Sequence, residues 1–186
     1  GAHDYTKADL SRQLRRVHFA FLHPNFTDHY KGEGYDIAIL KLFDNIIPDS
    51  TVSPICFPAI HVNLPVGSAC FYVGWGGVFT KHSNGKQRYP KILRETEVYI
   101  DRDVYCIIYH FDVYADSNSC IETKGRSAGR GDSGGGIFFL SGTDGRWYWY
   151  GLIESSRHHP DAMCTVISKF QVVQKWLKST AIRLGL

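Results

Sequence analysis

The sequence predicts an all-β protein closed by one C-terminal α-helix. Short apolar or alternating runs, rich in β-branched and aromatic residues, recur along the chain between clusters of Gly, Pro, Asn and Ser. Helical spacing belongs to the last stretch, where Phe170, Val173, Leu177, Ala181 and Leu184 recur with basic residues between them. The composition, 44% hydrophobic and 21% charged over 186 residues, is that of a chain that buries a core rather than one that stays disordered. No run of 18 apolar residues is present, so no membrane-spanning helix is expected.

In order, residues 1–7 read as a polar surface loop. Leu14, Val17, Phe19, Phe21 and Leu22 form a β-type run that stops at Pro24, which has no N–H for a ladder. Residues 27–34 read as a loop punctuated by Gly32 and Gly34. Asp36 then opens the apolar run Ile37-Ala38-Ile39-Leu40, the length of a buried strand. Residues 48–67 are rich in Pro and small polar residues and read as a connection. The next strands are placed at 70–78, at Leu93 to Ile100 and at 137–140, with a loop at 81–87. A hairpin turn at Thr143-Asp144-Gly145-Arg146 leads to a returning strand at 147–153. Its four consecutive aromatics, 147–150, suit a strand with aromatics on both faces; a ligand platform is the alternative.

One stretch stands apart. Arg130-Gly131-Asp132-Ser133-Gly134-Gly135-Gly136 sets one hydroxyl among residues chosen for backbone freedom. The Gly131 and Ser133 N–H groups can then face one point beside that hydroxyl. A nucleophile with paired donors for an oxyanion is what acyl transfer needs. A Gly-rich surface turn, or a loop that holds an anion, is the plainer reading. For Asp36 the plainer reading is a turn residue ahead of a strand.

Residues 131–135 resemble the active-site serine segment, Gly-Asp-Ser-Gly-Gly, of trypsin/chymotrypsin-like serine proteases. Further segments resemble that family in the right order: 35–42 its catalytic-aspartate strand, 53–58 its interbarrel connection, Cys70 to Gly76 the first strand of its second barrel, and 169–177 the start of its C-terminal helix. The resemblance implies two antiparallel Greek-key β-barrels, the first incomplete. Residues 1–65 would be the remainder of the first barrel and the connection, and 66–186 the second barrel with the helix. A half-complete first barrel is expected to leave open edges and apolar faces.

The resemblance also assigns roles. Ser133 becomes the nucleophile, Asp36 the carboxylate that orients a histidine, and the Gly131 and Ser133 N–H groups the oxyanion donors. Ser127 falls at the base of the substrate pocket and Glu154-Ser155-Ser156 along its rail. A neutral Ser127 argues against a cationic side chain in that pocket. Asp132 is linked to activation: in the family this carboxylate pairs with the amine of the mature N-terminus. Without that amine the carboxylate would be buried and unpaired, so a relaxed, zymogen-like loop is expected. Cys106 and Cys120 are paired by the resemblance, closing a loop of about 15 residues for about 3 kcal/mol. Cys56 would bridge to a segment outside the chain.

The chain departs from the family pattern at several points. Gly129 and Phe139 stand where bridge cysteines are usual, and Gly136 where proline is common, so Cys70 and Cys164 have no assigned partners. The template order is His, Asp, Ser. Only 35 residues precede Asp36, which places the catalytic histidine before Gly1. The nine histidines present are His3, His18, His23, His29, His61, His82, His110, His158 and His159, and none lies in a matching segment. His158-His159 reads as a solvated loop, and no metal or other cofactor is expected.

Five cysteines and the sequon Asn25-Phe26-Thr27 suit an oxidising, extracellular compartment, and Asn25 is the candidate glycosylation site. The net charge of +3 is small, and the Arg12, Arg15, Arg16 cluster reads as a solvated strand face rather than a nucleic-acid surface. The chain does not begin with Met and shows no leader, so it is read as starting within a domain or after processing. Two functions follow: a secreted serine endopeptidase acting on polypeptides, with this chain lacking its histidine, or a catalytically silent homologue that binds protein partners.

Overall fold

The computed structural model describes residues 1–26, 35–59, 61–79, 86–104, 108, 117–156 and 163–185; for 155 and 156 it describes the backbone alone. The elements with bounds among the described residues are β1 (Val17–Leu22), β2 (Ala38–Leu42), β3 (Ala69–Gly74), β4 (Val78–Phe79), β5 (Gln87–Arg88), β6 (Arg94–Ile100), β7 (Asn118–Glu122), β8 (Gly136–Leu140), β9 (Trp147–Ser156), β10 (Cys164–Ser168) and α1 (Phe170–Arg183). Six strands close into an antiparallel barrel in the order β10-β7-β6-β3-β8-β9. β1 and β2 form a separate hairpin, and β4 with β5 another.

Alternation fills the barrel. Cys70 and Tyr72 of β3, Val98 and Ile100 of β6, and Ile137 and Phe139 of β8 are buried at a period of two. Tyr150 and Ile153 of β9 and Ile167 of β10 complete that core. The four aromatics at 147–150 serve both faces of β9. Tyr148 and Tyr150 pack on Phe139 (5.5 and 5.9 Å), whereas Trp149 meets Phe57 and Phe170 (5.7 and 5.6 Å). That outer cluster joins the 48–67 connection to α1, and Gln174 Nε2 adds a hydrogen bond to the Pro58 carbonyl (2.9 Å).

The β1–β2 hairpin stands outside the closed barrel. It exposes apolar side chains on both faces: Val17, Leu22 and Leu40 on one and Phe19 on the other are each about half exposed or more. The sequence reading extended the first barrel-two strand to residue 78 and left 81–87 as a loop. The strand ends instead at Gly74, and Gln87 belongs to β5. Backbone donors past Gly74 are diverted from the ladder: Gly76 N–H goes to the Asp132 carboxylate and Gly77 N–H to the Arg130 carbonyl (2.8 and 2.9 Å). β7 and β10 were not read as strands from the sequence. Asn118, Ser119, Thr165 and Ser168 dilute their apolar pattern, and all but Ser119 are buried.

Candidate active site

Ser133 occupies the corner of two consecutive turns. In the first, Asp132 N–H returns to the Gly129 carbonyl (3.0 Å), with Gly131 at φ +103°. In the second, Gly135 N–H returns to the Asp132 carbonyl (2.9 Å), with Gly134 at φ +81°. A positive φ at the third position is that of a type II turn, which favours glycine there. The loop is then fastened to β9, where Gly134 N–H donates to the Ile153 carbonyl (2.8 Å) and Ile153 N–H to the Gly135 carbonyl (2.9 Å). Ser133 itself is exposed.

The orientation of one key donor follows from peptide planarity. The Arg130 carbonyl accepts Gly77 N–H (2.9 Å), and every described peptide bond is trans. The Gly131 N–H, on the same planar unit, therefore points away from Gly77. Among the described residues neither the Gly131 nor the Ser133 N–H donates to a protein acceptor.

Asp132 is buried, 9% exposed, and was expected to lack a partner. It has two. Gly76 N–H donates to Oδ1 (2.8 Å) and Gly129 N–H to Oδ2 (2.9 Å). Two backbone donors hold the side chain in place, so the loop is anchored at Asp132. The cradle depends on small residues. A Cβ on Gly74 or Gly76 would lie 1.9 or 2.1 Å from an Asp132 oxygen. A Cβ on Gly129 would lie 1.9 Å from the Gly77 carbonyl oxygen, so this backbone approach excludes the cysteine usual at 129.

Asp36 is exposed and lies two residues before the start of β2. It follows Tyr35, held at φ +62°, whose carbonyl accepts Ile37 N–H (2.7 Å). Its charge reaches Glu154 on β9. Glu154 is half-buried; its Oε1 accepts Ser168 Oγ–H (2.5 Å) and its Oε2 accepts Asn118 Nδ2–H. Burial pushes the Glu154 carboxyl above its ordinary range; the Ser168 and Asn118 donors oppose that, and the Asp36 charge adds to it. Neighbouring β9 residues thus touch both candidates, Ile153 the Ser133 loop and Glu154 the field of Asp36.

Ser127 shares a hydrogen bond with Thr123 Oγ1 (2.9 Å) and lines, with Asp132, a cavity of about 610 Å³ beneath the loop. Ser155 and Ser156 lie on β9, opposite Val166 and Thr165, with side chains outside the described atoms. Cys120 is disulfide-bonded and fully buried, while Cys106 lies outside the described residues. Cys56 and Cys70 are free thiols, and burial pushes the Cys70 thiol up to about 12. Asn25 is exposed, but Thr27 of its sequon lies outside the described residues. So do His29, His82, His110, His158 and His159. His23 stacks on Tyr35 (4.5 Å), beside Asp36, yet its Nδ1 accepts Asn25 N–H (3.2 Å), and burial lowers its pKa. That histidine is built into the fold rather than presented to a substrate.

The sequence reading missed the partners of the carboxylates. Asn118 and Ser168 lie 36 and 14 residues from Glu154, and Gly76 lies 56 residues from Asp132. The one local signal was the pair of glycines around Trp75.

A closed antiparallel barrel with an exposed serine on a glycine-built double turn, beside a buried aspartate, defines the chymotrypsin-like class of fold. The chain matches the Trypsin family over residues 1–177 and belongs to it. It is 30% identical to phenoloxidase-activating factor 3 of Holotrichia diomphalia across 70% of this chain and 37% of that protein. It is 27% identical to the suppressor of tumorigenicity 14 protein homolog of Bos taurus across 96% of this chain and 20% of that protein. Granzyme B(G,H) of Mus musculus is 29% identical across 97% of this chain and 68% of its own length. The chain thus spans about a third and a fifth of the first two relatives.

Proposed function

We propose that this chain is the greater part of the peptidase domain of a secreted serine endopeptidase. Ser133 Oγ attacks the scissile carbonyl and its proton passes to an imidazole; the acyl-enzyme then forms as the leaving amine takes that proton. Asp36 orients the imidazole, and the Gly131 and Ser133 N–H groups receive the oxyanion. The general base is a histidine outside these 186 residues, since none of the nine present sits in a matching segment. Ser127, with Ser155 and Ser156, shapes a neutral substrate pocket. Glu154 is turned toward Asn118 and Ser168, so it borders that pocket by its backbone. Asp132 takes the ammonium of a cleaved amino terminus in the cavity beneath the loop. Cys106 pairs with Cys120, Cys56 ties the domain to another segment, and Asn25 carries a glycan.

The observation that carries the reading is the double turn at 129–135, which exposes Ser133 while two backbone donors hold Asp132. One observation favours the silent, partner-binding homologue instead: Glu154 sets a second carboxyl in the field of Asp36. The test is to express the full coding sequence that contains this chain, with and without Ser133→Ala, and to measure peptide hydrolysis and serine-directed phosphonate labelling. Hydrolysis and labelling lost together in the variant support the peptidase. A full product that neither cleaves nor labels supports the silent homologue.

A further inference from the structure

One end of the β1–β2 hairpin carries charged and aromatic groups that the peptidase reading does not use. The two faces of the hairpin differ. Val17, Ala20 and Leu22 stand opposite Leu42, Leu40 and Ala38, so one face is apolar throughout, as the lining of a barrel is. The other sets Phe19 opposite Lys41, and a face that carries a charge is the outward one.

The register passes from Val17↔Leu42 to Phe19↔Lys41, so His18 is the extra residue of a bulge, a feature that re-aims a side chain. Its ring packs on two others, 4.1 Å from Phe19 and 4.3 Å from Phe43. Phe43 N–H extends the ladder by donating to the Arg16 carbonyl (3.0 Å), which brings these two residues together. The Arg16 guanidinium then lies over the Phe43 ring, 5.2 Å from its centre. Arg16, Phe43, His18 and Phe19 thus form one run of contacting planar groups on the surface, with Phe19 and Phe43 53% and 55% exposed.

Charge on this surface is one-sided. Segments 12–19 and 43–47 hold three arginines and a single carboxylate, Asp44. Arg15 is bound into the fold: its guanidinium donates to the Asn45 and Leu14 carbonyls and to Gln13 Oε1 (2.9, 3.1 and 2.8 Å). Arg12 and Arg16 are exposed, and among the described residues no carboxylate lies within ion-pair distance of either. A guanidinium already ordered by a ring loses less freedom when it binds. Arginine and aromatic side chains are also those that contribute most at protein interfaces. The planar fork fits a carboxylate, and half-exposed rings beside it fit an apolar side chain. A sulfated polysaccharide supplies anions without apolar surface, and nucleic acid calls for more positive charge than a net +3. An acidic peptide segment with an apolar side chain among its carboxylates meets both demands.

We propose that the Arg16–Phe43–His18–Phe19 stack, with Arg12, docks an acidic segment of a partner protein. Carboxylates of that segment pair with Arg16 and Arg12, and its apolar side chain lies against Phe43 and Phe19. The surface belongs to the hairpin rather than to the Ser133 loop, so the inference holds for a peptidase and for a silent homologue alike.

The test uses the full product of the coding sequence that contains this chain. Its probe is a fluorescein-labelled peptide amide, Glu-Phe-Glu-Glu-Leu-Glu, read by fluorescence anisotropy. The peptide is expected to bind, less tightly in high salt, and less tightly again when its Phe and Leu are replaced by Ser. Arg16→Ala should weaken binding about tenfold, the loss of a hydrogen bond between charged groups. Phe43→Ala should weaken it similarly, and the double variant should add little, because each change removes the same stack. Lys175→Ala, an equal loss of charge at an exposed position of α1, should change binding by less than about twofold. In histidine-labelled wild type the His18 ring protons should shift as peptide is added, an NMR reading that needs no variant. No binding by the full product, equal effects of Arg16→Ala and Lys175→Ala, or His18 signals that stay still while the peptide binds would each overturn the proposal. Dextran sulfate bound through Arg16, with no binding of the peptide, would overturn it too and assign the surface to a sulfated polysaccharide.

Discussion

Replacing Asp132 with Ala probes the anchor beneath the Ser133 loop. The carboxylate is 9% exposed and takes one N–H from Gly76 and one from Gly129. A hydrogen bond to a charged group contributes about 1.5–3 kcal/mol, so losing two costs about 3–6 kcal/mol if both donors stay dry. They do not stay wholly dry, because the adjoining cavity of about 610 Å³ has ample room for water. The expected loss is therefore near the lower bound, about 3 kcal/mol. With a urea slope of about 2 kcal/mol/M, the unfolding midpoint falls by about 1.5 M. Tryptophan fluorescence in urea at pH 7 reads this directly from the four tryptophans. Asp132→Asn keeps one acceptor and sets its NH₂ against the other donor, so it should lie between Ala and wild type. Gly76→Ala, whose Cβ would sit 2.1 Å from Oδ2, should destabilise the wild-type background more than the Asp132→Ala background. A midpoint for Asp132→Ala within about 0.2 M of wild type, or additive effects of the pair, would refute the anchoring argument.

Further outcomes follow from other residues. Ile137, fully buried in the barrel, should cost about 2–5 kcal/mol on truncation to Ala, measured by the same denaturation, whereas Ser133→Ala should leave the midpoint unchanged. Glu154 binds its proton more tightly in the folded chain, so its contribution to stability is present below the ordinary value of 4.5 and is lost as pH rises from there through its raised folded value. Glu154→Gln should flatten that part of the stability–pH curve; an unchanged curve would show that Glu154 titrates normally. Cys70, pushed up to about 12 by burial, should resist iodoacetamide at pH 8 in the folded 186-residue chain, while Cys56, which has no bridge partner within that chain, reacts; peptide mass mapping reads both. Equal modification of the two would contradict the buried position of Cys70.

The fold was legible where the pattern is local. The helix followed from Phe170, Val173 and Leu177, and the barrel strands β3, β6, β8 and β9 from short apolar, aromatic or interleaved runs between turn residues. The Ser133 loop was legible because glycines at 131 and 134 answer a backbone demand that no other residue meets as easily. What escaped was set by contacts distant in sequence. Gln174 is buried on α1 because the connection lies over it, as the Gln174–Pro58 bond shows across 116 residues. β7 and β10 were hidden because their polar residues are satisfied in the barrel wall rather than at the surface. Asp132 was expected to be unpaired because the reading counted only charged partners; backbone N–H groups at Gly76 and Gly129 take that place.

The account depends on Ser133 being a nucleophile whose imidazole partner is not among these 186 residues. The direct measurement is peptide hydrolysis by the purified chain and by the full product of its coding sequence, each compared with its Ser133→Ala variant. The expected result is cleavage by the full product that disappears in its variant, and none by the chain alone. Cleavage by the chain alone that Ser133→Ala abolishes would contradict the account.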